Sequence, residues 1–298
     1  STGCWSCVYG LWLLTDDPDD GQVRTLNIGE GMSVLNVALI GSDEFARSLG
    51  KKGDSRDIDS YVHKESKDGG VRVLSLLRPL KHPESIRPLL SVLDVTKAGL
   101  LEIGGLDAPV GEAMVALGCS GISTGRAMIS PRDGDWIDPG QVRVMLDQAG
   151  LSEWEIMEGD FDEHETREWL FGVQDELSKT TPDASSSSLI LPVDQHFNVK
   201  GVGLVAIGYV QSGSLSKHDE VEVLPASDVG VVRSLQVMDD DVEAAFSGDR
   251  VGVALRNLRE QSLHRGCMIC VPGDGALIGH ESSSFDLELA PFQKKNLS

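Results

Sequence analysis

The chain has 298 residues, 40% of them hydrophobic, which is enough for ordinary cores in about two domains. Its formal charge of −21 is spread along the chain rather than gathered in a tail. That works against broad binding to a phosphate backbone, DNA included, because such binding needs Lys/Arg patches. No run approaches the roughly 18 apolar residues of a membrane span, so no membrane partner is expected.

Residues 1–31 contain no initiating Met and no basic leading region, and their short apolar part is followed by acid, a poor pattern for a signal peptide. Met32 then opens "MSVLNVALIG", which begins like a natural N-terminus and runs into a buried strand. Residues 1–31 are therefore expected to be an extension, poorly ordered or not native. Next comes "VALIGSDEFARSLGKKGDSRD", an apolar run, then Gly41, then the pair Gly50-Lys51. A phosphate-binding loop reads G-x-x-x-x-G-K-[ST] between a strand and a helix; its backbone N–H groups wrap the phosphates and its hydroxyl holds magnesium. Here eight residues separate Gly41 from Gly50, Lys52 follows Lys51 and cannot ligate a metal, and Asp43 and Glu44 would repel a triphosphate. Taken alone, the match is weak.

Over residues 32–177 strand-like and helical patterns alternate. "VRVLSLL" and "AGLLEIG" read as strands, "APVGEAMVALG" as a helix ending at Gly, and "DPGQVRVMLDQAG" as a helix with an Asp cap, Pro and a terminal Gly. "EWEIMEG" is another strand and "DEHETREWLFGVQDEL" an amphipathic helix. The alternation predicts a parallel, doubly wound α/β domain. Residues 178–188, "SKTTPDASSSS", read as a linker. Over residues 189–280 the pattern changes to short strands only, "SLILPVD", "GLVAIGYVQSG", "DEVEVLP", "GVVRSLQVM" and "RVGVALRNL", which predicts a small closed β-barrel. Residues 281–298 carry a further strand, "SFDLELAPF", the start of a third domain.

The five cysteines include two C-x-x-C pairs, Cys4/Cys7 and Cys267/Cys270, which together would make a four-thiolate zinc site. The second pair lies in the strand-like "RGCMICVPG", where side chains three apart point to opposite faces, so buried inert cysteines and no metal are expected. An odd count gives no disulfide framework, and a reducing cytoplasm is the expected compartment.

"LILPVDQHFNVKGVGLVAIGYVQSGSLSKHDEVEVLP" and "AAFSGDRVGVALRNLREQSLHRGCMI" resemble the second domain of elongation factor Tu and its relatives over residues 189–273. Gly203, Gly208, Gly213, Gly248, Gly252, Arg265 and Gly266 fall where that family's pattern puts them. With that anchor, residues 32–177 resemble a translational G domain of the elongation factor Tu and SelB-like GTPases with degenerate motifs. Arg78, Pro79, Leu80, Lys81 and His82 stand at the family's D-T-P-G-H, so only the His is kept and the magnesium-side Asp is a charge reversal. Ser130-Pro131-Arg132-Asp133 corresponds to the guanine-reading N-K-x-D, of which Asp133 remains. No S-A-[KL] follows "WEIM", and no switch Thr stands out between Gly53 and Val71. "LGKKG" followed by Asp57-Ile58 further resembles a group of archaeal elongation-factor-like paralogues with eroded nucleotide motifs.

The resemblance implies that any retained nucleotide site would use Gly41, Gly50, Lys51 and Asp133, with Lys51, Lys52 and Arg78 offering cationic charge to an anion. Phosphoryl transfer rests on positioning and charge neutralisation, and loss of the metal-binding residues argues against magnesium-dependent GTP hydrolysis. No catalytic residue and no cofactor are therefore expected, GTP being the cofactor weighed. The resemblance places the pocket for an aminoacyl-tRNA end at Asp194, Gln195 and Phe197, where a ring offers stacking and a carboxylate accepts from ribose or amine. The alternative makes Phe197 a barrel core residue and Asp194 a turn cap. His82 and His196 read as structural or surface residues, and Asp239-Asp240-Asp241 as a solvated loop. The leading expectation is an elongation-factor-like protein that binds tRNA, the ribosome or a translation factor through its barrel. The alternatives are an active GTPase with an atypical loop and a protein-interaction scaffold.

Overall fold

The computed structural model describes residues 32–286 apart from 56, 68–69, 132–134, 160, 181–186, 239, 283 and 285. The extension at 1–31, most of the Ser-rich stretch and nearly all of the expected strand from 284 onward lie outside the described residues. The chain divides into two compact units, residues 32–180 and 187–286.

In chain order, the first unit contains β1 (Met32–Ile40), α1 (Asp43–Leu49), β2 (Lys51–Ser55), β3 (Ile58–Lys67), β4 (Gly70–Pro79), α2 (Arg87–Leu93) and β5 (Ala98–Ile103). It continues with α3 (Ala108–Cys119), β6 (Gly125–Ile129), α4 (Pro139–Gln148), β7 (Glu155–Met157) and α5 (Glu163–Thr180). The sheet order is β2-β3-β4-β1-β5-β6-β7. Strands β4 through β7 in that order run parallel, and β2 and β3 add an antiparallel edge. Successive side chains on a strand point to opposite faces. Val37, Leu39, Leu74, Leu76 and Leu100 accordingly pack in one cluster with Phe45 and Leu49 of α1 and Leu170 and Phe171 of α5. Ala38, Val73, Leu77 and Leu101, of the opposite parity, are also fully buried or nearly so, as expected of a sheet covered on both faces. Trp154 shows how tightly the parallel edge is packed. Its indole lies flat across Gly99 and Gly125, where an added Cβ would come within 2.4 and 2.3 Å of ring atoms, and its Nε1–H donates to the Ile122 carbonyl at 3.0 Å.

The second unit is all β: β8 (Ile190–Val199), β9 (Gly203–Tyr209), β10 (Ser214–Ser216), β11 (Glu220–Leu224), β12 (Asp228–Val237), β13 (Asp240–Val242), β14 (Ala244–Phe246), β15 (Arg250–Arg256) and β16 (Met268–Cys270). The order β11-β16-β8-β9-β15-β12 closes through a β12–β11 pairing into a six-stranded antiparallel barrel. Strand β13 extends β12, and β10 pairs with β14. Val193, Leu204, Val221, Val223, Val232, Leu235, Val253 and Ile269 are buried in it. Gly208 has no substitute, since a Cβ there would fall 2.0 Å from the Pro192 carbonyl oxygen.

Cys267 and Cys270 are both buried, and burial pushes both thiols up, Cys270 to about 11. Their convergence on a metal with Cys4 and Cys7 involves residues outside the described set. Asp239 is also outside it, while Asp241 accepts from Gln236 across the β12–β13 pair at 3.0 Å.

Candidate functional site

Strand β1 is flanked by β4 on one side and β5 on the other, and the chain winds outward from it in both directions. Open α/β sheets bind ligands at such a switch point, beyond the carboxyl ends of the strands. Here only Gly41 and Ser42 connect β1 to α1. Ser42 is the N-cap, its Oγ accepting from Phe45 N–H at 3.1 Å, and Asp43 and Glu44 fill the first turn where helix-dipole charge favours them.

Gly41, Gly50 and Lys51 do not lie in one loop. Gly50 is the C-cap of α1, its N–H donating to the Ala46 carbonyl, and Lys51 is the exposed first residue of β2, opposite Val62. A seven-residue helix, about 10 Å long, separates Gly50 from Gly41. Gly50 is small because Val62 backbone nitrogen lies 3.0 Å from where its Cβ would be. Asp133 lies outside the described residues; Ser130 and Pro131, just before it, line the cleft at the strand ends.

That cleft, of about 480 Å³, is also lined by Gly41, Ser42, Glu44, Arg78, Glu102 and Gly104. Glu102, at the end of β5, was not singled out by sequence reasoning. Its Oε2 accepts from Ser42 N–H at 2.7 Å, and it fits because Gly41 has no Cβ, which would sit 2.8 Å from the Glu102 Cβ. The first free N–H of α1 therefore already faces a carboxylate. A lone charged residue inside the apolar "AGLLEIG" was the signal available for it.

Of the three cations expected to face an anion, Lys52 and Arg78 are bonded within the unit, while Lys51 is exposed. Arg78 Nε donates to the Gly41 carbonyl at 2.8 Å, and its Nη1 lies 3.4 Å from Asp59 Oδ2. Lys52 Nζ donates to Asp59 at 2.7 Å and to Asp43 at 3.2 Å. Asp59, only 2% exposed, also accepts from the Ser55 hydroxyl and lies 3.2 Å from the Tyr61 hydroxyl, which donates to Asp43; Asp43 accepts from Arg47 as well. The Tyr61 hydroxyl, then Arg47, holds the Asp43 carboxyl well below the usual range, and the hydrogen bond to Asp59 raises Lys52. Burial works to raise Asp59, but Lys52 and Ser55 outweigh it and its pKa is lowered. His82 Nε2 sits 3.1 Å from Glu112 Oε2 on α3, with its side chain largely buried, a structural setting.

In the barrel, Asp194 occupies a bulge where β8 slips register between Val193 and Gln195. Gln195 Nε2 donates to Asp194 at 3.3 Å, and Arg265 Nη2 lies 3.4 Å from its other oxygen. The Gly266 N–H bonds the Val193 carbonyl at 2.8 Å and brings that turn alongside. Gln195 and Phe197 oppose Ile207 and Val205 and so share a face of β8. Phe197 is 42% exposed, which overturns the alternative that it is a core residue: the ring is available at the surface, two residues from Gln195. His196 is exposed.

A switch-point α/β unit followed by a six-stranded antiparallel barrel is the architecture of the GTPase and second domains of translation elongation factors. The sequence model for elongation factor Tu domain 2 matches residues 203–270. The chain is 28% identical over 268 residues to an uncharacterized protein of Methanocaldococcus jannaschii, covering 89% of this chain and 80% of that one. It is 39% identical over 84 residues to the selenocysteine-specific elongation factor of the same organism, 28% of this chain and 18% of that protein. In fold it resembles translation elongation factor SelB from Methanococcus maripaludis in complex with the GTP analogue GppNHp, with a TM-score of 0.60 and 21% identity over 81% of this chain. A bacterial selenocysteine-specific elongation factor gives a TM-score of 0.62 at 20% identity. The chain spans 55% and 45% of those two structures. Residues 203–270 thus match an elongation factor Tu second domain, and the chain as a whole is similar to elongation factor Tu and SelB-like proteins.

Proposed function

We propose that the chain is an elongation-factor-like binding protein without a magnesium-dependent GTP site, which engages the acceptor end of a tRNA through its barrel. The observation that carries this reading is the two-residue turn at Gly41-Ser42, whose helix N–H is occupied by Glu102. A P-loop GTPase needs a longer loop to wrap phosphates, a Ser/Thr on magnesium and an Asp beside it. At the matching positions this chain has Lys52 and Arg78, both bonded to Asp59. The residues present do not fit a magnesium–triphosphate, and no step is derived through one. The barrel supports the binding half of the reading: its family pattern is complete, and Asp194, Gln195 and Phe197 offer a carboxylate, an amide and an exposed ring at one rim. A tRNA partner implies the cytoplasm, a compartment that suits the free, buried Cys267 and Cys270.

Titration calorimetry with GTP, with and without magnesium, is the test. No magnesium-dependent heat is expected, and Lys51→Ala should leave partner binding unchanged. Micromolar GTP binding abolished by chelation would establish the active-GTPase alternative instead. Absence of both nucleotide and tRNA binding would favour the protein-interaction scaffold.

A further inference from the structure

The mouth of the first unit carries a ligand chemistry opposite to that of a phosphate. Trp136, in the connection between β6 and α4, is 80% exposed, the most exposed large apolar side chain among the described residues. It is anchored from one side: Ile137 is buried, and Asp138 caps α4 by accepting from Gly140 N–H at 2.9 Å. Trp136 and Asp135 line a cleft of about 290 Å³ with Gly104 and Gly105. Gly104 also lines the 480 Å³ cleft that holds Glu44 and Glu102. The two clefts thus adjoin along the carboxyl ends of β1, β5 and β6. Among the described lining residues the side-chain charges are the carboxylates Glu44, Glu102, Asp135 and Asp138 and one cation, Arg78, which is already bonded to Gly41 and Asp59.

Such a groove disfavours phosphates, and an exposed indole beside carboxylates complements a planar cation. A guanidinium stacks on an indole face and pairs with a carboxylate at its edge, both at once. We propose that this groove docks an arginine-rich segment of a partner protein, with one arginine on Trp136 and others along Glu44 and Glu102. The inference rests on the reading that the mouth holds no magnesium–GTP.

The test uses the full chain labelled with 5-fluorotryptophan, the Trp136 fluorine signal being assigned with Trp136→Phe. An acetylated and amidated nona-arginine peptide should shift that signal saturably. Trp136→Ala, followed by titration calorimetry, should weaken the peptide roughly two- to thirtyfold, the span from an exposed to a desolvated cation–π contact. Glu44→Lys should weaken it more than Glu168→Lys, which makes the same charge change on the exposed face of α5. Equal losses from those two, or an unmoved Trp136 signal, would overturn the proposal by showing attraction to net charge alone. A single-stranded RNA oligonucleotide that shifts the signal where the peptide does not would also overturn it. Magnesium–GTP shifting the signal would sink both this inference and the function proposed above; silence from GTP and peptide together would sink this one only.

Discussion

The two units have kept different things. The barrel matches its family's sequence pattern over residues 203–270, whereas the first unit has a two-residue turn after β1, with Glu102 on its Ser42 N–H and Arg78 on its Gly41 carbonyl. The reason is where each fold stores its constraints. In the barrel the pattern residues are the fold: Gly208 is required by Pro192, and the Arg265-Gly266 turn ties down β8. In the first unit the constraints lie in the interior, in the alternating apolar residues of β1, β4 and β5 and in the slot for Trp154. None of these lies in the strand-end connections, so the sheet does not depend on the length or charge of those connections.

The largest effect that would test this contrast comes from the slot. Trp154→Ala removes a buried indole and its hydrogen bond to Ile122, and should destabilise the first unit by about 3–5 kcal/mol. Chemical denaturation followed by circular dichroism and barrel-specific NMR signals should show the first unit's transition moving while that of the barrel stays. A shift of both together would mean that the units unfold as one, and the contrast would be wrong.

In the barrel the sharpest prediction concerns Asp249, 6% exposed, which accepts from Phe246 N–H at 2.8 Å. Burial pushes its carboxyl up to about 6 against that hydrogen bond. The folded barrel then binds more protons than the unfolded chain between pH ~4 and ~6, so its stability falls as pH rises through that window. The loss is at most about 3 kcal/mol at neutral pH. Asp249→Asn keeps the acceptor and should flatten that slope, leaving the barrel more stable at pH 7. Asp228 behaves oppositely. The Ser262 hydroxyl, then Arg259, lowers it to about 2, so its contribution is present above its unfolded pKa and fades only as pH falls toward 2. Urea midpoints across pH 3 to 8 would separate the two; an unchanged slope in Asp249→Asn would discard the assignment.

What could be read in advance follows the same division. Period-two apolar runs, Asp and Pro helix starts and terminal glycines were legible, and α3 to α5 and the barrel strands lie close to where those signals put them, whereas α2, which has no side-chain cap, was not singled out. Helix α1 was harder. Ser42, Asp43, Glu44 and Arg47 are an ordinary cap, first turn and last turn, but the Gly50-Lys51 pair invites a loop through the same residues. Strand β3, "IDSYVHKESK", is charged because it lies near the sheet edge, so it lacks a core pattern. The Asp43–Asp59–Lys52–Arg78 network was not legible, since it joins α1, β2, β3 and β4 only after the sheet has formed.

A smaller effect is expected from Glu102→Ala. It frees the Ser42 N–H at a solvent-facing helix start, at a cost of roughly 1 kcal/mol. If the first unit is remodelled rather than merely capped, the variant should still show no magnesium-dependent GTP binding by calorimetry. Recovery of such binding would mean that one carboxylate separates this chain from a working nucleotide site.

The least effect on stability, and the most on binding, is expected at Phe197. Its ring is 42% exposed, so Phe197→Ala should change barrel stability by no more than about 0.5 kcal/mol. If the ring stacks on an unpaired base of a tRNA acceptor end, its loss should weaken binding by about 1–3 kcal/mol. The salt dependence should be shallow. Each neutralised phosphate adds roughly 0.7 to 0.9 to the log–log slope, and a chain of formal charge −21 offers few such contacts. Fluorescence titration of aminoacylated and deacylated tRNA across a salt series, with wild type and Phe197→Ala, tests both. Loss of affinity at a shallow slope would locate recognition at the Asp194–Phe197 rim. A steep slope, or affinity indifferent to Phe197, would put the RNA on another face and remove the one role that the intact barrel pattern is here proposed to serve.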